Sequence, residues 1–122
     1  MTPRPLLHLE GAALLAITIF GYHQVHGGWL FFAALFLVPD VSMAGYALNT
    51  RIGAMAYNAV HTTIGPIVLG AIAFTTAHHT TLLIAVIWLA HIGLDRMLGF
   101  GLKFPTQFKD THLSPTRLGF IA

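Results

Sequence analysis

The chain reads as an all-α integral membrane protein, an up-down-up-down four-helix bundle with a cytoplasmic C-terminal tail. Three features lead there. Of 122 residues, 56% are hydrophobic and only 8% are Asp, Glu, Lys or Arg, and the mean hydropathy is +0.74, a balance at which a soluble domain would precipitate. Four apolar stretches each approach the ~20 residues that a helix needs to cross a hydrocarbon core of ~30 Å. The connections between them are so short that successive helices must be antiparallel neighbours.

The first stretch covers residues 6–22 and is the shortest. It follows Arg4 as a signal peptide would, but no small-x-small cleavage pattern follows it, because Tyr22, His23, Gln24, Val25 and His26 stand in that place. It is expected to remain in the mature protein. The second stretch covers 29–48 and the third 52–77. Pro39 in one and Gly65-Pro66 in the other should bend or interrupt their helices, since proline removes a donor and frees a carbonyl one turn earlier. The fourth covers 82–102. Residues 103–122, with Phe104, Phe108 and Phe120, form a tail expected to lie on the membrane surface. All of 1–122 is expected to be one domain.

Every Lys or Arg outside the stretches falls on one side: Arg4, Arg51, Lys103, Lys109 and Arg117. By the positive-inside rule that side is cytoplasmic, which places both termini in the cytoplasm. The formal charge of +2 comes from few residues, so the pI near 9.4 marks no nucleic-acid partner. The absence of cysteine excludes disulfides and thiolate metal sites. Any metal must be held by nitrogen and oxygen.

An ionisable side chain at the bilayer centre costs about 2.5–3.5 kcal/mol on insertion scales, so each one needs a reason. Counted from the cytoplasmic helix ends, Asp40 and His61 lie roughly 13 Å deep, His91 about 16 Å and Asp95 about 10 Å. His91 and Asp95 share one helix face with Trp88 and Gly99, as Tyr57, His61 and Gly65 share another. This layer predicts a divalent metal site, zinc above all, with His61, His91 and Asp95 as ligands and Asp40 as the spare carboxylate acting as general base. Such a metal lowers the pKa of bound water towards ~7, which points to a metal-dependent hydrolase acting on a lipid or lipid-linked substrate. Asp110 and His112 in the tail are two further candidate ligands.

Other readings compete. Asp95 could pair with Arg51, and Asp40 with Arg96 or as a cap after Pro39, so that the charges only set helix register. His61 and His91 at one depth suit haem or another tetrapyrrole in an accessory subunit of a larger membrane complex; the carboxylates equally suit an ion or proton pathway, which needs a homo-oligomer to line a pore. On the outer side, His23, His26, His78 and His79 could gather a second metal or sense acid pH. Glu10 is read as a bundle-facing hydrogen-bond partner, Trp29 and Trp88 as lipid or packing residues, and Gly93, Gly99 and Gly101 as sites of close packing.

Several segments carry a family likeness: Leu9-Glu10-Gly11, Pro39-Asp40-Val41-Ser42-Met43-Ala44-Gly45-Tyr46, Ala56-Tyr57-Asn58-Ala59-Val60-His61-Thr62, and His91-Ile92-Gly93-Leu94-Asp95-Arg96 running into Gly99-Phe100-Gly101-Leu102-Lys103-Phe104-Pro105 and Phe108-Lys109-Asp110-Thr111-His112. Together the chain resembles a family of small bacterial membrane proteins classed as a domain of unknown function. The resemblance covers nearly the whole chain and implies a four-helix membrane fold that includes the tail and a place in the bacterial inner membrane. A fainter likeness, to membrane-embedded zinc amide hydrolases such as alkaline ceramidases, is confined to scattered Asp, Ser and His residues and transfers no residue.

Overall fold

A computed structural model of the chain describes residues 3–100. It is helical throughout: α1 (Pro3–Gln24), α2 (Trp29–Leu35), a 3-10 segment (Val38–Ala47), α3 (Thr50–His61), α4 (Ile64–Thr75) and α5 (His79–Leu98), with no strand among the described residues. They form four helices long and apolar enough to cross a membrane: span one is Pro3–Gln24, span two Trp29–Ala47, span three Thr50–Thr75 and span four His79–Leu98. Leu30, Val41, Leu48 and Phe74 lie at least 70% exposed. Against water that would be costly; against lipid it leaves hydrocarbon facing hydrocarbon.

Both prolines sit at interruptions. Span two changes from α-helix to a ten-residue 3-10 segment with Pro39 in its first turn, an unusual length for that geometry. Span three breaks between His61 and Ile64, where Thr62 is extended; Pro66 then falls in the first turn of α4, where a missing N–H costs nothing. The Asn49 side chain starts α3 by accepting from the Ile52 N–H at 2.8 Å. Helix α5 stops at Leu98, short of the expected residue 102, because Gly99 turns left-handed with φ of 93°. The Gly99 N–H then reaches the Arg96 carbonyl at 3.1 Å and the Phe100 N–H the Asp95 carbonyl at 2.7 Å, a Schellman closure.

Small residues let the spans approach. Gly11 faces Arg96 and Met97 of α5, and Gly93 faces Leu15 of α1, so spans one and four cross backbone to backbone. Gly45 meets the backbone of Ile52 and Gly53 between spans two and three, Gly53 lies under the Tyr46 ring, and Gly65 lies under the Trp88 ring. At the other end, Tyr22, Leu83 and Ile87 form a core; the Tyr22 hydroxyl donates to the Gly28 carbonyl at 2.6 Å and ties down the loop.

This packing yields a direct test. A Cβ on Gly93 would stand 2.7 Å from the Leu15 backbone nitrogen, whereas one on Gly70 would meet only the Ala85 methyl at 3.6 Å. Gly93→Ala should therefore destabilise the detergent-solubilised protein by about 1–3 kcal/mol. Gly70→Ala should be neutral or stabilising by up to about 1 kcal/mol, since alanine is the better helix former. Equal melting temperatures for the two variants would contradict this packing.

The surrounding of Glu10 differs from its expected bundle-facing position. The residue is exposed, because α1 turns the Gly11 face to α5 and the neighbouring position points about 100° away.

Candidate metal centre

Four polar side chains from three spans converge at the two breaks. Asp40 comes from the 3-10 segment, His61 from the last turn of α3, and His91 and Asp95 from one face of α5. Each offers one donor atom, and these atoms all lie within 4.8 Å of one another. Asp40 Oδ1 is 3.2 Å from His61 Nε2 and 3.1 Å from His91 Nε2. Asp95 Oδ2 is 3.5 Å from His61 Nε2 and 3.2 Å from His91 Nε2. The two Nε2 atoms are 3.2 Å apart.

Four donors set about 2.0 Å from a shared centre in a regular tetrahedron stand about 3.3 Å apart. The five separations above scatter around that edge. Hydrogen bonding alone accounts for them poorly. His61 is held with its Nδ1–H donating to the Tyr57 carbonyl at 2.9 Å, so a neutral His61 presents Nε2 as a bare lone pair. A proton on His91 Nε2 can point at only one of its three neighbours. The remaining contacts then set acceptor against acceptor, which a central cation resolves for all four at once. Two carboxylates and two neutral imidazoles also sum to the charge that one divalent ion cancels.

The surroundings orient the rings. Tyr57 stacks on His61 with centroids 3.7 Å apart and planes 6° apart, and Phe36 meets His91 edge-on at 5.4 Å. His91 Nδ1 is buried and turned to the Phe36 carbonyl, outside hydrogen-bonding geometry. Both histidines are 1% exposed, while the Asp95 side chain is 13% and the Asp40 side chain 33% exposed. Asp40 is thus the member of the set open to an incoming molecule.

The break in span three is held by span four. Ending α3 at His61 frees the carbonyls that the next turn would have used. Trp88 Nε1 donates to the Val60 carbonyl at 2.6 Å and Arg96 Nη2 to the His61 carbonyl at 3.0 Å, with Arg96 Nη1 on the Phe100 carbonyl at 2.9 Å. These two donors flank His91 on its own helix and pin the chain at His61 from both sides. Reading the sequence missed that role. Its signal was present in the Gly65-Pro66 pair, which announces free carbonyls, and in Trp88 sharing the His91 and Asp95 face.

The expected ion pairs are not formed. Among the described residues, the carboxylates' close charged partners are the two histidines; Arg96 is engaged with carbonyls, and Arg51 is exposed. The reason is reach: the break after α3 offers Arg96 the His61 carbonyl and the end of α5 offers it the Phe100 carbonyl, both nearer than either Asp. The outer histidines form no second metal-holding group among the described residues; the His78 Nδ1 instead takes the Thr81 hydroxyl at 2.7 Å at the start of α5. Asp110 and His112 lie outside the described residues.

The family described as a domain of unknown function (DUF4260) has a sequence model that matches residues 4–115, and the chain belongs to that family. No curated protein and no solved structure matches the chain significantly.

Proposed function

We propose that this family member is a membrane-embedded, metal-dependent hydrolase whose His/Asp cluster faces the cytoplasmic half of the bacterial inner membrane. The observation that carries the reading is the convergence of one donor atom each from Asp40, His61, His91 and Asp95 within 4.8 Å, with five of the separations between 3.1 and 3.5 Å. His61, His91 and Asp95 are the permanent ligands, because they are the three most enclosed. Asp40, the most exposed of the four, would be the exchangeable fourth donor and the general base that accepts the proton of an attacking water. Zinc bound there would supply Lewis acidity and an acidified water. The Nδ1–H bond of His61 to the Tyr57 carbonyl leaves its Nε2 lone pair as the atom that would hold the metal. The one-sided Lys and Arg support the cytoplasmic placement.

The spacing also favours a single ion over haem. Two axial imidazoles across an iron stand about 4 Å apart with a macrocycle between them, whereas here the two Nε2 atoms are at 3.2 Å with Asp40 against both. Purified protein should therefore contain close to one divalent ion per chain and show no Soret band.

The test of the catalytic assignment is Asp40→Asn in protein reconstituted into vesicles of bacterial lipid extract, with lipid breakdown followed by mass spectrometry. The variant should keep metal, with reduced affinity, while turnover falls about 10²–10⁴-fold, the usual worth of a general base. Complete loss of metal in Asp40→Asn would make Asp40 a permanent ligand and the site a structural one.

A further inference from the structure

We infer that the apolar groove beside the cluster is an acyl-chain slot, holding one chain of a membrane lipid with its head group presented to Asp40; as a substrate assignment this rests on the hydrolase reading above. The groove has a volume of about 420 Å³ and is walled by Leu35, Val38 and Pro39 of span two, Val60 of span three, and Ile84 and Ile87 of span four. Its two polar side chains, Ser42 and Trp88, have their hydrogens committed elsewhere: Ser42 Oγ donates to the Pro39 carbonyl at 2.8 Å and Trp88 Nε1 to the Val60 carbonyl at 2.6 Å. The wall therefore offers an occupant no hydrogen-bond donor, and only hydrocarbon fills it without loss.

Position and direction identify which hydrocarbon. Pro39 precedes Asp40, Val60 precedes His61, and Trp88 lies one turn before His91, so one end of the groove abuts the cluster. From there it runs back along spans two and four. These travel side by side, Leu35 packing with Ile87 in the Tyr22 core and Phe36 meeting His91. Ile84 lies seven residues before His91, about 10 Å along the helix. The cluster itself is within about 10 Å of the end of α5 at Leu98. A lipid of the leaflet on that side points its chain towards the bilayer centre, which is the direction of the groove, and would fill it with its head group drawn inward to the depth of the cluster. Asp40, the most exposed donor of the set, borders the end of the groove, where the head-to-chain linkage of such an inward-drawn lipid would meet it. The substrate class is thus an acyl lipid cleaved near its glycerol or amide linkage, not a water-soluble ester.

Trp88 makes the slot directly observable. In Trp29→Phe protein, reconstituted in dioleoylphosphatidylcholine vesicles with increasing fractions of lipid brominated at the middle of its acyl chains, Trp88 should be the one fluorescent indole. Its quenching should saturate hyperbolically, as for a single site with several-fold preference over bulk lipid. Filling the groove by Val38→Phe or Ile84→Phe should cut that quenching at least threefold. Metal content, measured on the same samples, should stay at the parent level. Quenching that rises only in proportion to bulk bromine and ignores both fillings would overturn the slot while leaving the metal reading intact. Absence of quenching in a particle that sediments as a dimer would seat a second copy in the groove and overturn it too. Saturable, filling-sensitive quenching in protein that binds no metal would support the slot and remove the hydrolase reading instead.

Discussion

His61→Ala and His91→Ala should each lower metal affinity by more than about 100-fold, beyond the 10–100-fold that follows loss of an outer partner. Each change deletes one donor of a four-donor set in which five separations run from 3.1 to 3.5 Å, and among the described residues no other His, Asp or Glu joins that set, the Tyr57 ring covering one side of His61 and Phe36 abutting His91. The readout is stoichiometry by elemental analysis after passage over a chelating resin. His23→Ala and His79→Ala should keep full metal, since both side chains are exposed and neither belongs to the cluster. Full metal in His91→Ala would remove the site from span four and with it the hydrolase reading.

The parts of this architecture that were legible beforehand are those governed by the solvent. Charges are so scarce that each apolar run announces a helix, and Pro39 and Pro66 announce interruptions because a missing N–H acts wherever it occurs. Asp40, His61, His91 and Asp95 stand out for the same reason: lipid makes an ionisable group costly, and depth counted along helices brings these four to one layer. What lay beyond reach depends on local geometry. Nothing in Val38–Ala47 announces a 3-10 winding in place of a bent α-helix. That winding is nevertheless what carries Asp40 between two histidines. The competing reading that paired Arg96 with Asp40 fails: charge invites pairing with charge, but the His61 and Phe100 carbonyls, at two chain breaks, take up the guanidinium fork. The outward turn of Glu10 followed from which small residue, Gly11, met α5, and that is a property of the packed pair.

Asp95→Asn should cost metal affinity without costing fold, and Arg96→Gln should do nearly the reverse. The amide keeps the shape of Asp95 but loses its anionic oxygen, so affinity should fall about 100-fold or more. In metal-free protein the same change removes one of two carboxylates held against the same pair of imidazoles, and strands no cation, because Arg96 is bonded to the His61 and Phe100 carbonyls and Arg51 is exposed. The apo melting temperature should hold or rise. Arg96→Gln removes the fork from the His61 carbonyl and leaves a freed backbone acceptor short of a partner, at a cost of about 1–3 kcal/mol. It should also loosen His61 and weaken metal about 10–100-fold, as loss of a supporting contact does. Arg96→Lys, which can reach one carbonyl but not two, should recover part of both. If Asp95 and an arginine were instead a buried ion pair, Asp95→Asn alone would cost about 3–5 kcal/mol, and combining it with Arg96→Gln or Arg51→Gln would restore stability. With the carbonyl contacts seen here, Asp95→Asn alone leaves no such loss, so neither double substitution has a deficit of about 3–5 kcal/mol to restore. Rescue of the melting temperature by either double substitution, in protein that never bound metal, would make the cluster a register device and end the case for chemistry at this site.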